Sequence, residues 1–322
     1  MQAIRVHEAG GPEVLHLEEV QEPAAREGEL LIEVEAIGVN FVEIYYRTGL
    51  YPTQCPYTPG TDAAGVVRSV GANVTEFAPG DRVVSQGVRG SYAQMATVQA
   101  SSAVRIPDGV TSKIAVAGWL QGLTAHYLSH STYPLKAGDV CLIHAAAGGV
   151  GLLLCQMAKN CGAMVIGTAS TDEKRQLALA AGADEVIDYL SKDFADEVKR
   201  ITGGVGVDVV YDSVGDTTFN KSLDALKPRG MMVLFGQSSG PVAPIDPQLL
   251  NKKGCLYLTR PSLHRYVATR DELLMRANDL LTWIQRGEIR VRIGAEFPLK
   301  KAAEAHEMLT GRLSTGKILL IP

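Results

Sequence analysis

Two rhythms of apolar and polar positions divide the chain. From residue 1 to about 120, short apolar runs are cut by Gly, Pro and Asp. This predicts strands over 30–36, 60–70 and 82–85, with turns at Gly38, Gly71 and Pro79-Gly80-Asp81. Many short strands so punctuated predict a barrel-like β domain rather than a parallel sheet. From about 136 the pattern changes to alternating strands and helices. Strands are predicted over 140–144, 164–168, 185–189, 207–212, 231–235 and 255–259, and helices over 149–160, 172–181 and near 193–202 and 217–226. Six strands with helical crossovers predict an α/β, doubly wound parallel sheet. A last amphipathic helix carries Leu273, Leu274, Ala277, Leu280, Leu281 and Ile284 on one face and stops at Gly287. A shorter helix near 301–310 and a strand over 317–321 follow.

Length adds a constraint: 322 residues exceed one ordinary core, so two domains are expected. With 46% apolar and 20% charged residues the balance is that of a soluble globular protein. A net charge of −4 gives no electrostatic case for nucleic acid or an anionic membrane surface. No apolar stretch approaches the ~20 residues that span a bilayer. The segment 1–10 lacks the apolar run of a secretory signal, which makes the cytoplasm the expected compartment. The cysteines Cys55, Cys141, Cys155, Cys161 and Cys255 are odd in number and hold no CxxC pair, as expected of reduced thiols without a four-thiolate zinc site. Cys141 and Cys155 sit in apolar runs and are expected to pack in the core.

The most informative motif spans 144–151, His-Ala-Ala-Ala-Gly-Gly-Val-Gly, directly after one predicted strand and directly before one helix. Missing side chains at Gly148, Gly149 and Gly151 let the backbone turn sharply and approach a pyrophosphate, and the helix N-terminus offers unpaired N–H donors. A second cluster, Gly203-Gly204-Val205-Gly206, follows a helix and precedes a strand, so it is expected to be a loop. The end of the second strand reads Gly167-Thr168-Ala169-Ser170-Thr171, without the carboxylate that would bind a free ribose 2′-OH. Small hydroxyl residues at Ser170 and Thr171, with Lys174 one turn on, suit a 2′-phosphate and hence NADPH. Arg175 is expected on a solvated helix face, with Asp172 capping that helix.

At this point the chain resembles the quinone oxidoreductase (zeta-crystallin) family of the zinc-free medium-chain dehydrogenases/reductases. The resemblance rests on Gly11-Pro12-Glu13-Val14-Leu15, Gly38-Val39-Asn40-Phe41-Val42-Glu43, Arg47-Thr48-Gly49-Leu50-Tyr51, residues 144–151, Val210-Tyr211-Asp212-Ser213-Val214-Gly215 and Thr259-Arg260-Pro261-Ser262. It implies a GroES-like catalytic domain, residues 1–122 and 263–322, with a Rossmann domain, 123–262, inserted between them. A cleft between the domains and a homodimer are also implied. On the same footing, Asn40, Tyr45, Tyr51 and Thr124 would face the nicotinamide, and Gly148, Gly149 and Val150 the pyrophosphate. Ser170, Lys174 and Tyr189 would lie near the adenosine phosphate. Ser213, Phe235, Gly236, Ser238, Arg260 and Arg312 would complete the groove, with Gln237 standing where relatives often have Asn.

Zinc-dependent alcohol dehydrogenases of the same superfamily need a Gly-His-Glu motif and cysteine ligands. Here the matching positions read Gly60-Thr61-Asp62 and Asn40, and His7, His16, His126, His130, His144, His264 and His306 show no paired ligand spacing, so no metal is expected. Without zinc to polarise a carbonyl, the acceptor must take hydride readily, as a quinone does. Tyr45 and Tyr51 are candidates for contacting its oxygen, with cleft-wall packing the alternative for both. An enone or enoyl reductase on the same fold, and an NADPH-binding protein without turnover, are the competing readings.

Overall fold

A computed structural model describes residues 1–311 and 313–322. The chain divides into two compact units, Met1–Gln121 with Thr269–Pro322, and Gly122–Ala268.

The first unit is built on an eight-stranded, mostly antiparallel sheet that curls around the long strand Glu29–Val39. That strand pairs with Ala63–Val70, Met95–Gln99 and Lys317–Ile321, so residues from three distant parts of the chain meet along it. The curl encloses a core that includes Leu30, Ile32, Ile37, Val67, Tyr92, Ile318 and Leu320. Gly38, expected at a turn, lies inside the strand, paired with Leu319. A Cβ at Gly38 would stand 2.4 Å from the Asp62 carboxylate, so this glycine makes room for a buried charge rather than a bend. The predicted strand over 60–70 starts later, at Ala63. Gly60 (φ 101°) turns the chain first and delivers Thr61 and Asp62 to the interior.

The second unit is a six-stranded parallel sheet in which Glu185–Asp188, Met164–Ala169, Val140–Ile143, Val207–Asp212, Leu226–Leu234 and Tyr257–Thr259 are neighbours in that order. Counted along the chain this is the order 3-2-1-4-5-6, the Rossmann arrangement. The helices Gly149–Asn160, Asp172–Ala180, Phe194–Ile201 and Phe219–Ala225 supply crossovers. Leu142, Ile166, Val210, Phe219 and Met232 belong to its core. Residues 203–206 form a loop in which Gly203, Gly204 and Gly206 all take positive φ. The segment 263–268, assigned by the sequence to the final part of the chain, packs with this unit instead. Tyr266 stacks on Tyr127, with ring centroids 4.3 Å apart, and accepts a hydrogen bond from Thr132.

Four α-helices among the described residues are not predicted by the sequence pattern, and two of them, Gln248–Lys252 and Leu263–Tyr266, are only one turn or so long. Phe41–Arg47 is short and partly apolar, and Ser112–Tyr127 is buried almost all round, so it shows no polar face to mark its period. Cys141 and Cys155 are fully buried, and burial pushes the Cys155 thiol up to about 12, as suits packing residues. No helix among the described residues is long and apolar enough to cross a membrane.

Candidate active site

In the second unit the chain leaving the first parallel strand is tied to both neighbouring strands. His144 N–H donates to Tyr211 O at 3.1 Å, and Ala146 N–H to Thr168 O at 3.0 Å. Ala145 takes φ 51°, and Gly148 N–H closes back on Ala145 O at 2.8 Å. A Cβ at Gly151 would lie 2.4 Å from Ala145 O, so the tight turn requires glycine there. Gly148 is the N-cap of the helix Gly149–Asn160, and no side chain caps it. The first N–H groups of that helix, at the positive end of its dipole, therefore have no acceptor from a cap.

The other residues expected at a nucleotide site in this unit follow the ends of its strands. Ser170 and Thr171 succeed Met164–Ala169, and the Thr171 hydroxyl caps the next helix by accepting Lys174 N–H at 3.3 Å. Asp172 and Glu173 sit exposed in that helix's first turn. Arg175 is committed to carboxylates, pairing with Asp172 and with Asp188 at 3.1 Å, so it is not the bare solvated side chain expected. Lys174 is half-buried, and Tyr189 is exposed just after Glu185–Asp188. Ser213 and the run Phe235, Gly236, Gln237, Ser238 come together after the fourth and fifth strands, where Ser238 N–H donates to Ser213 O at 3.1 Å. A Cβ at Gly236 would approach Ser213 O to 2.5 Å, which fixes glycine at that contact too. Arg260 follows the last strand and is exposed, whereas Thr124 is buried in the helix Ser112–Tyr127. Arg312 lies outside the described residues. Five of these groups thus sit at carboxyl ends of adjacent parallel strands, the side on which open α/β sheets bind ligands.

Beneath this surface runs a buried polar chain. His144 Nδ1 meets Thr168 Oγ1 at 3.1 Å and its Nε2 meets Ser222 Oγ at 2.9 Å; Ser222 in turn donates to Asp212 at 3.4 Å. Asp212 also accepts N–H groups of Val214 and Gly215 at 2.7 and 3.0 Å and the Thr218 hydroxyl at 2.7 Å. Ser, His and Asp are all present, but the order is Asp–Ser–His and Ser222 is fully buried, so no substrate reaches a nucleophile. Burial lowers the His144 pKa, keeping the imidazole neutral. The chain's effect is positional: it joins the glycine turn to the loop that begins at Ser213.

The first unit holds a second polar cluster. Lys317, 2% exposed, donates from Nζ to Asn40 Oδ1 at 2.5 Å, Gln121 Oε1 at 3.0 Å and Asp62 Oδ2 at 3.4 Å. Gln121 also donates to Asn40 Oδ1 at 2.8 Å, while Asn40 Nδ2 donates to Asp62 Oδ1 at 2.7 Å and shares its other hydrogen between Gly38 O at 3.3 Å and Glu43 Oε1 at 3.4 Å. Both lone pairs and both N–H bonds of the Asn40 amide are therefore used within the unit. Glu43 accepts Asn40 N–H at 2.8 Å and, on its other oxygen, Thr61 N–H at 3.1 Å and Thr61 Oγ1–H at 2.7 Å. Burial, and next the charge of Asp62, raise the Glu43 pKa to about 7. Gln121 and Lys317 do not stand out in the sequence, and Glu43 enters it only as the last residue of the run Gly38-Val39-Asn40-Phe41-Val42-Glu43. The Asn40-x-x-Glu43 spacing, a helix-capping pattern, is the one signal that points to any of them.

Tyr45 and Tyr51 lie together, edge to face with ring centroids 5.2 Å apart, and Tyr46 packs on Tyr51 at 5.7 Å. Both are partly exposed. No group of three or more His, Cys, Asp or Glu side chains among the described residues is arranged to hold a metal ion.

Comparison with known proteins bears on both units. Residues 26–108 match the family model of the alcohol dehydrogenase GroES-like domain, and residues 149–267 that of the zinc-binding dehydrogenases. The chain is 46% identical to quinone oxidoreductase 1 of Escherichia coli, covering 99% of both chains. It is 40% identical to the 2-haloacrylate reductase of a Burkholderia species over 98% of each. The crystal structure of Escherichia coli quinone oxidoreductase complexed with NADPH superposes with a TM-score of 0.98 over the whole of both chains, at 46% identity.

The buried carboxyl makes a stability prediction. Its pKa is about 7 when folded and 4.5 in an ordinary setting, so the native state binds the extra proton between those values. Stability from Glu43 is complete below about 4.5 and is lost as pH rises through about 7. The melting temperature of wild type should therefore fall relative to Glu43→Gln across that window and run parallel to it above. A constant difference from acid to neutral pH would show that Glu43 titrates normally.

Proposed function

The chain belongs to the quinone oxidoreductase family of the medium-chain dehydrogenases/reductases, and on that basis we propose that it reduces quinones with NADPH and without a metal. The observation that carries the reading is the second strand's end, Ala169-Ser170-Thr171. It has no carboxylate to repel a 2′-phosphate and adjoins the strand that ends in the glycine turn.

NADPH suits the residues present, because Gly151 and Gly236 stand where a Cβ would collide with backbone and leave the turns open to a ligand. When bound, it supplies the hydride. The rest falls to the chain. Gly148, Gly149 and Val150 hold the pyrophosphate on the helix N-terminus. Ser170, Thr171, Lys174 and Tyr189 take the adenosine phosphate, and Ser213, Phe235, Gly236, Gln237, Ser238 and Arg260 line the remaining nucleotide groove. Thr124 belongs to the nicotinamide end, and Tyr45 and Tyr51 donate hydrogen bonds to the acceptor oxygen. Asn40, named with the cofactor-facing residues, has its amide saturated within the first unit, so its part there is to hold the start of the helix that carries Tyr45.

Zinc does not suit the first unit. Its donors there are an amide, a hydroxyl and a carboxylate, and the cluster already contains a cation, the Lys317 ammonium. A quinone needs no Lewis acid, because hydride addition gives an aromatic phenolate. Reduction of an activated carbon–carbon double bond is the second reading, supported by the likeness to 2-haloacrylate reductase. We also assign a homodimer. The sheet-edge strand Tyr257–Thr259 leaves Tyr257 59% and Leu258 36% exposed, a strip suited to pairing with a second copy. The odd count of five cysteines, all free, supports a cytoplasmic setting.

Turnover with a naphthoquinone and with simple enones, measured side by side, tests the activity: the quinone should be reduced faster. Oxidation of NADPH by enones alone would transfer the assignment to the second reading. Lys174→Ala should weaken NADPH roughly ten- to a hundredfold and leave NADH nearly unchanged, since a hydrogen bond to a charged group contributes ~1.5–3 kcal/mol. Equal loss for both cofactors, in titrations at fixed ionic strength, would move the 2′-phosphate elsewhere.

A further inference from the structure

Hydride addition to a quinone leaves an oxygen that still needs a proton. We propose that Glu43 stores that proton and that the Thr61 hydroxyl passes it to the acceptor oxygen, an inference that rests on the quinone reading above.

The geometry lies in how the carboxylate is surrounded. Among the described residues the hydrogen bonds given to it come from Asn40 N–H, the Asn40 amide, Thr61 N–H and Thr61 O–H, and all four donate to it. Three of these are amides, which have no way to turn from donor to acceptor. Only the Thr61 hydroxyl, 2.7 Å from Glu43 Oε1, can rotate and accept. Protonation of Glu43 on Oε1 and reversal of the Thr61 hydroxyl are therefore a single event. Glu43 is 1% exposed and Asn40 5%, whereas Thr61 is half-buried, so of the residues bonded to the carboxyl Thr61 is the most accessible. Thr61 is held in place, because its N–H bonds the same carboxylate oxygen and its carbonyl accepts Val88 N–H at 3.0 Å.

The neighbours keep the proton exchangeable near neutral pH. Asp62, just before the strand Ala63–Val70, favours the protonated form, while Lys317 on the strand Lys317–Ile321 and the Thr61 hydrogen bond favour the carboxylate. The phenols of Tyr57 and Tyr92 also face Glu43 from the loops that precede Gly60 and the strand Met95–Gln99. The balance places the group at about 7, where an acid both holds and releases a proton.

The step balances. The quinone takes a hydride, with its electron pair, from the reduced nicotinamide. The Thr61 O–H bond breaks toward the acceptor oxygen as the Glu43 O–H bond breaks toward Thr61 Oγ1. The products are hydroquinone, oxidised cofactor and a Glu43 carboxylate, with the Thr61 hydroxyl again donating to it. Water supplies the next proton to Glu43.

Two measurements test this on the full chain. Infrared titration of the cofactor-free protein should show a protonated-carboxyl band with a midpoint near 7 that is missing in Glu43→Gln and displaced in frequency in Thr61→Val. At saturating NADPH, wild-type kcat with a quinone should fall as pH rises through that midpoint. Glu43→Gln and Thr61→Val should lack this limb, run roughly 10²-fold slower below it and converge with wild type above it. Thr61→Ser, which keeps the hydroxyl, should restore rate and limb, and an unchanged NADPH affinity shows that each variant is folded. A Thr61→Val enzyme with wild-type kcat and limb, or a limb that survives in Glu43→Gln, overturns the relay. A wild type that reduces no quinone overturns the functional reading and this role with it, while the infrared titration, made without cofactor or acceptor, still reports the Glu43–Thr61 exchange.

Discussion

An ammonium cut off from water keeps its charge only if oxygen atoms surround it, and Lys317 meets that condition with three acceptors from three parts of the chain. The constraint spreads outward. Asn40, held by its carbonyl oxygen, starts the helix Phe41–Arg47, which carries Glu43 and Tyr45. Asp62, drawn in beside the ammonium, demands a glycine at position 38 of the central strand. Gln121 brings the helix Ser112–Tyr127 into the same cluster. With two buried carboxylates and one ammonium, the cluster carries one negative charge too many for a dry interior, and Glu43 absorbs the excess by binding a proton readily.

The second unit fixes its loops by other means. Its interior chain from Thr168 through His144 and Ser222 to Asp212 contains one formal charge, and that charge is met by backbone N–H groups and two hydroxyls rather than by a cation. A neutral imidazole, kept so by burial, bonds through both ring nitrogens. The result is a rigid joint under the nucleotide loops whose hydrogen bonds change little across physiological pH, in contrast to the titrating cluster of the first unit.

What was legible in the sequence follows from the range over which each signal acts. The Rossmann strands and the turn at 144–151 were readable because their causes are local: an apolar run, three glycines, a helix start. The strand end at Ser170 was readable for the same reason. The helix Ser112–Tyr127 was not, since burial on nearly every side erases the periodic contrast that marks a helix. Nor was the charge cluster, because Lys317 and Asn40 are 277 positions apart and a lone lysine or glutamate in a sequence looks like a surface residue. Asn40 and Tyr45 were both singled out as facing ligand, yet the fold treats them differently. One is saturated inside the unit, and the other shares a partly exposed aromatic group with Tyr51.

The first unit is discontinuous, and this has a bearing on how the protein is made. The central strand Glu29–Val39 leaves the ribosome long before the strand Lys317–Ile321 that pairs with it. Between them the whole of Gly122–Ala268 emerges as one continuous stretch with its own core. During translation the inserted unit can therefore collapse onto itself while Asp62 and Glu43 still wait, solvated, for their counter-charge. Vectorial synthesis thus delivers the inserted fold before the ionic interior of the other unit closes, when the arrival of a single lysine lets both carboxylates be withdrawn from water.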